Sequence, residues 1–222
     1  MMGKLIVLES LEAAGKGTAS QYVKEYAADR SLPFVFTREP GGTPFAETIR
    51  EHMLEHEGKV PPICQALLSY ASRADHVEKV IRPALESGQH VFSERYYWSA
   101  LAYQASTCPQ THAIHDLVHE AVNMPKPDLT ILLDISPELS LERMHLTRVR
   151  QGVKLDEFEK KPIEYFRGVR DRYYAQLDDQ WAVVDASQPL QFVQQSIYAL
   201  LDKVLGISPY ENATCRGCHQ TS

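Results

Sequence analysis

Short runs of consecutive apolar residues alternate along this chain with longer stretches in which apolar positions recur every three or four residues. The runs Leu5–Leu8, Phe34–Phe36, His90–Phe92, Leu129–Leu133 and Trp181–Val184 predict strands. Their lack of polar alternation is that of strands covered on both faces, as in parallel sheets. The amphipathic stretches predict helices over about 17–30, 44–56, 64–87, 98–123 with a break near Pro109, 137–147, 162–178 and 190–205. Ser136 and Pro137 punctuate one of these starts as N-cap and first helical residue. Strand–helix alternation of this kind gives an α/β fold with right-handed crossovers. No repeat or linker divides it, so a single domain is expected over residues 1–206. Two stretches stand apart: residues 148–161 are charge-dense and weakly periodic, as expected of a mobile surface segment, and 207–222 read as a peripheral tail.

Composition narrows the function. The 222 residues are 44% apolar and 23% charged, ordinary globular values that exclude disordered and fibrous classes. A net charge of -6 argues against a general nucleic-acid binder, though not against a local basic pocket for a small anion. The apolar run before Glu9, Leu5–Leu8, is only four residues long, too short for a signal-peptide core, and no run approaches the ~20 residues of a membrane span. Four cysteines make no disulfide framework, so a reducing, cytoplasmic setting is expected, with no membrane partner.

The first strand runs into Ser10-Leu11-Glu12-Ala13-Ala14-Gly15-Lys16-Gly17-Thr18 and then a helical pattern. Strand, tight loop and helix N-terminus are the context a phosphate-binding loop requires, with loop amides and the helix dipole facing an anion and Lys16 adding a full charge. Ser10 stands where the motif has its first glycine, and Gly17 where it has its magnesium-binding hydroxyl, with Thr18 one place later. A Gly-Lys-Gly turn opening an ordinary helix is the plainer alternative.

Three more segments fall near predicted strand ends, where open α/β sheets bind ligands. They are Thr37-Arg38-Glu39-Pro40-Gly41-Gly42-Thr43, Glu94-Arg95 with Ser99, Tyr103 and Gln104, and the helix carrying Ser69, Tyr70 and Arg73. With the phosphate loop and Pro127-Asp128-Leu-Thr-Ile-Leu-Leu-Asp134, they make the chain resemble the thymidylate kinases from Leu5 to about Leu205. The resemblance implies a five-stranded parallel sheet flanked by helices on both faces, usually dimeric. It also implies transfer of the γ-phosphoryl of ATP, with Mg2+, to the 5′-monophosphate of thymidine.

Carried onto this sequence, the resemblance gives Glu12, Ala13, Ala14, Gly15, Lys16, Gly17 and Thr18 to ATP, with Arg143 and the segment after Asp185 beside adenine. Arg38 would clamp the acceptor phosphate beside Glu39 and Pro40, and Arg95 would bridge acceptor and transferring groups. Arg73 would reach a base carbonyl, Ser69, Tyr70, Ser99 and Gln104 would line the nucleoside pocket, and Tyr103 would lie beneath the sugar. Arg148 and Arg150, in a lid at about 148–161, would supply transition-state charge, while Thr18 and Glu94 would serve magnesium directly or through water. A homodimer, with no nucleic acid involved, completes the expectation.

The chain departs from the family pattern at three places. Glu94-Arg95 replaces Asp-Arg, Asp156-Glu157 replaces the lid's Asp-Arg, and Ser69 stands where a phenylalanine would stack on thymine. The last opens space beside the pyrimidine, so a 5-modified deoxyuridylate such as the 5-hydroxymethyl form is an alternative substrate. A non-catalytic nucleotide-binding protein is the alternative from another class, opposed by the retained Arg38, Arg73 and Arg95. Cys215, Cys218 and His219 form a C-x-x-C-H string without a fourth ligand, read as an exposed tail. His112, His115 and His119 are read as a polar helix face.

Overall fold

The computed structural model describes residues 2–56, 58–152 and 160–209. Its elements in chain order begin with β1 (Leu5–Ser10), α1 (Lys16–Asp29), β2 (Phe34–Arg38), α2 (Pro44–Glu55) and α3 (Pro62–His76). Next come α4 (Arg82–Glu86), β3 (His90–Glu94), α5 (Tyr97–Ser99), α6 (Thr111–Ala121) and β4 (Leu129–Asp134). The order ends with α7 (Pro137–Gln151), α8 (Ile163–Tyr174), β5 (Trp181–Asp185) and α9 (Leu190–Leu205). Single π turns at Val77–Ile81 and Ala100–Gln104 join α3 to α4 and prolong α5.

The five strands form one all-parallel sheet in the order β2-β3-β1-β4-β5. Leu5, Ile6, Val7 and Leu8 of the central strand are fully buried because helices cover both faces. Odd and even residues of β1 consequently feed separate clusters. Ile6 and Leu8 pack with Tyr26, Ile131, Leu133, Val169 and Ile197. Leu5 and Val7 pack with Val77, Ile81, Leu85, Val91 and Tyr96. The chain order reverses around β1, so the crevice that binds ligands in such sheets opens at the carboxyl end of β1.

The predicted helices are present with shifted ends. Pro62, fixed near the helical φ, starts α3 two residues early. The predicted helix 98–123 is broken over 105–110, and α6 restarts after Pro109. Helix α7 runs on to Gln151, so Arg148 and Arg150 belong to a helix rather than to an irregular surface segment. Residues 153–159 and the Cys215, Cys218 and His219 string lie outside the described residues. Cys64 and Cys108 are free thiols. Among the described residues, no helix is long and apolar enough to cross a membrane.

Candidate functional site

Three loops converge at the carboxyl ends of β1, β2 and β3. The first, residues 11–15, turns sharply: Ala13 and Gly15 take positive φ of 55° and 99°, and Gly15 caps α1 without a side-chain hydrogen bond. The opening amides of α1 are therefore free to meet an anion. Lys16 bends back so that Nζ donates to Ser10 Oγ at 3.0 Å and lies 3.7 Å from a Glu12 carboxylate oxygen. Burial, reinforced by the charge of Arg95, pushes Lys16 down to about 8 against the pull of Glu12, Glu9 and Glu94. Burial would raise Glu12, but Arg95 and Lys16 outweigh it and hold its carboxyl below the usual range.

Arg95 follows β3 with φ 69°, a left-handed conformation that costs a non-glycine residue about 1 kcal/mol. Flanking bonds hold it there: Arg95 N–H donates to Leu8 O at 2.9 Å, and Ser93 Oγ to Arg95 O at 2.8 Å. The turn aims the guanidinium at the phosphate loop, where it pairs with Glu12 and donates to Ser99 Oγ at 3.0 Å above the Tyr103 ring. Beneath it lies Glu9, fully buried, accepting from Tyr96 N–H at 2.9 Å, Ser99 Oγ at 2.6 Å and Tyr173 Oη at 2.8 Å. Burial raises the Glu9 carboxyl despite Arg95 and these donors. Glu9 is thus a buckle between β1 and the 95–99 turn, and its three partners leave it little capacity for a ligand.

The third loop, 39–43, is packed rather than merely turned. Gly42 has φ 90°, and a Cβ there would come within 2.5 Å of the His76 ring. Close approach lets His76 bridge Thr37 Oγ1, at 2.7 Å, and Glu39 Oε1, at 3.0 Å. Arg73 Nε donates to the other Glu39 oxygen at 2.6 Å and Nη2 to Tyr96 O at 3.2 Å. All three charged or titratable side chains are at least 96% buried. Burial alone would raise Glu39, yet Arg73 and His76 hold it below the carboxylate range.

Two cavities meet at the phosphate loop. One, about 850 Å³, is walled by Glu12 and Ala13, by Glu39, Pro40 and Arg50, by Ser69 and Arg73, and by Arg95, Ser99, Tyr103 and Gln104. The other, about 370 Å³, is walled by Ala14, Gly15, Thr18, Leu133 and Arg143, and by residues 186–190. Arg143 is fixed there by two bonds of 3.2 Å to Ala186 O, and Leu133, Leu190 and Val193 give apolar walls suited to a flat ring. Successive residues of one loop face opposite cavities, and Lys16, which lines neither, reaches back along the loop to Ser10 and Glu12.

The structure thus brings most of the predicted residues together and separates a few. Arg38 does not line the larger cavity: it is half exposed and paired with Glu47 at 2.7 Å. Tyr70 is 1% exposed, also outside the lining, with the Arg73 guanidinium 4.6 Å from its ring. Gly17 is exposed on the first turn of α1. Arg150 is exposed on α7, and the side chain of Arg148 is not among those described. Arg50 is the residue that sequence reasoning missed. It enters the cavity wall with Nη1 3.2 Å from Pro40 O. Burial, with Arg38 nearby, pushes its guanidinium down. The histidine face is also different from expectation: His115 and His119 are half-buried against Tyr97, with ring centroids 4.8 and 6.0 Å away. Burial pushes His115 down to about 4, which suits an aromatic stack rather than a charged surface.

The oxygen donors fit a hard divalent cation. Glu94 ends β3 close enough to Lys16 to favour its charge, and Thr18 presents an exposed hydroxyl beside the loop. One carboxylate and one hydroxyl, completed by phosphate oxygens and water, are a usual set for Mg2+.

A family model described as thymidylate kinase matches residues 8–197. Thymidylate kinase of Neisseria meningitidis serogroup B is 37% identical over 210 residues, covering 93% of this chain and all of that protein. The thymidylate kinases of Francisella tularensis subsp. novicida and Legionella pneumophila are each 36% identical, covering 91% and 92% of this chain and 97% of each of those proteins.

Proposed function

The chain belongs to the thymidylate kinase family, and from that premise we propose how its residues divide the work. The reaction is the ATP-dependent, Mg2+-supported phosphorylation of dTMP to dTDP. The observation that carries the division is the shared loop, with Ala14, Gly15 and Thr18 on one cavity and Glu12 and Ala13 on the other. The smaller cavity takes adenosine between Arg143 and the 186–190 segment, and the larger takes the acceptor nucleotide.

Phosphoryl transfer needs little covalent help from the protein; positioning and charge stabilisation do most of it. Lys16 and the amides opening α1 hold the donor phosphates at the shared loop. Arg95, preset by Glu9 and Ser99, spans acceptor and migrating groups, exchanging its bond to Glu12 for phosphate oxygens. Glu94 and Thr18 would hold magnesium, which supplies positive charge to the donor phosphates when bound. Tyr103 is fixed by a 3.1 Å bond from its hydroxyl to Ser10 O and supports the sugar. Arg73 offers Nη1, buried and without a partner among the described residues, to a base carbonyl. Arg148 and Arg150, near the carboxyl end of α7, supply positive charge to the migrating phosphoryl group. A single kinase domain over residues 1–206, acting in the cytoplasm, completes the reading. Ile63 and Leu67, exposed one turn apart on α3, and Leu117, exposed on α6, support a homodimer through this side.

A coupled ADP-release assay over a panel of nucleoside monophosphates tests the assignment. ADP release that depends on dTMP is expected. ATP binding without acceptor-dependent turnover would leave a nucleotide-binding protein only.

The acceptor phosphate falls to Arg50, the arginine that faces the cavity, with Arg38 drawn in only if Glu47 releases it. Arg50→Ala is expected to raise KM for dTMP by about 10- to 100-fold, the value of one charge-assisted contact. KM for ATP is expected to change far less. A larger effect on ATP would move Arg50 to the donor side.

The lowered Lys16 also predicts a pH dependence. The ammonium form binds phosphate, so ATP affinity should be level below about pH 8 and weaken above it, by up to tenfold per pH unit. Bound phosphate favours the charged form, so ATP binding above pH 8 takes up a proton. Calorimetric titration in buffers of different ionisation enthalpy reads that proton, and Lys16→Arg should remove the inflection. An unchanged inflection in that variant would assign it to another group.

A further inference from the structure

The inner end of the larger cavity is built on one face of α3, since positions 65, 69 and 73 are four apart and all three residues line it. Two polar atoms there are buried without partners among the described residues. Arg73 has committed Nε to Glu39 and Nη2 to Tyr96 O, leaving Nη1. Gln104 donates its amide nitrogen to Gln65 O at 3.4 Å, leaving Oε1. On the same face of α3, one turn before Arg73, is Ser69, 5% exposed and lining the cavity, with no hydrogen bond from its hydroxyl among the described residues. A buried polar group that finds no partner is costly, so a bound ligand is selected for the groups it satisfies.

A thymine ring satisfies two of the three. Its C4 carbonyl accepts from a donor such as Arg73 Nη1, and its N3–H donates to an acceptor such as Gln104 Oε1. The 5-methyl group beside that carbonyl offers a serine hydroxyl nothing. We propose, on the premise of the kinase reading above, that Ser69 reads the 5-position of the pyrimidine. The site then favours a deoxyuridylate whose 5-substituent carries a hydrogen-bonding group, the simplest being 5-hydroxymethyl. A hydroxyl one carbon out from the ring donates to Ser69 Oγ or accepts from it, and serine is small enough to leave it room. The phosphoryl transfer itself is unchanged, because the loop, Lys16 and Arg95 sit at the other end of the nucleotide.

The test compares specificity constants for 5-hydroxymethyl-dUMP, dTMP and dUMP in wild type and in Ser69→Ala. Alanine is the better helix former, so α3 should remain intact, which a thermal melt checks. One added hydrogen bond predicts a ratio of about ten for 5-hydroxymethyl-dUMP over dTMP in wild type. In Ser69→Ala the ratio should fall to within about twofold of unity. A wild-type ratio at or below one overturns the proposal. So does a preference that survives Ser69→Ala, which would place the selecting group elsewhere. An equal loss for all three nucleotides would put the hydroxyl on an atom they share, such as the C2 carbonyl, and would also overturn it. Failure of the kinase reading looks different, because wild type would then release no ADP with dTMP.

Discussion

Replacing Lys16 with alanine is expected to lower turnover by about 10²- to 10³-fold while the thermal midpoint stays at or slightly above the wild-type value. The first half follows from where the ammonium sits. It is tethered to Ser10 Oγ and close to Glu12, on the loop whose residues wall both cavities, where charge shifts as the phosphoryl group moves. Removing one preorganised donor from such a place costs about 2.7–4 kcal/mol of transition-state stabilisation. The second half follows from its lowered pKa: in the empty site burial and Arg95 oppose the charge, so losing it relieves the fold rather than weakening it. Glu12 keeps Arg95 as partner and is not stranded. Single-turnover kinetics and a thermal melt check the two halves separately. Near-wild-type turnover would remove Lys16 from the donor site, whereas a collapse in stability would make it a structural residue.

The sheet was legible because every strand is a short apolar run, and even the outer strands β2 and β5, which are only partly buried, keep that character. Helix limits were less so. Helix α7 continues through Arg148 and Arg150, where no apolar stripe marks it, because few residues there meet the core. The π turns at Val77–Ile81 and Ala100–Gln104 have no local signature. In the site, the phosphate loop could be read since its chemistry is contiguous in sequence. The acceptor clamp could not. Arg38 and Arg50 are twelve residues apart, and only the packing of α2 against α3 decides which one faces the cavity. Tyr70 follows Ser69 directly and is therefore turned about 100° away around α3, under Arg73 instead of over a base. The histidines at 115 and 119 looked polar because nothing in their spacing reveals that Tyr97 lies against them.

Arg73→Ala joins fold and recognition in one residue, and its effect on stability should be the largest of any substitution considered. Glu39, Arg73 and His76 are a buried set in which each of the two Glu39 oxygens has one nitrogen partner. Removing the guanidinium strands a buried carboxylate with His76 alone, a change that typically costs about 3–5 kcal/mol. For a chain of this size that is roughly 6–20 °C in thermal midpoint. Its pH dependence identifies the cause. In the wild type, Glu39 is held below its unfolded pKa, so its contribution is present above that value and lost as pH falls through the lower, folded one. In the variant, burial is opposed only by His76, Glu39 rises, and protonation relieves the fold. The stability deficit should therefore be greatest near neutrality and shrink as pH falls through the carboxylate range. Arg73→Met combined with Glu39→Gln removes both charges and should recover much of the lost stability. It should not recover dTMP affinity, because the free Nη1 donor is still missing. A double variant that regained both would show that Arg73 shapes the cavity without touching the base; one that regained neither would place its importance outside the Glu39 pair.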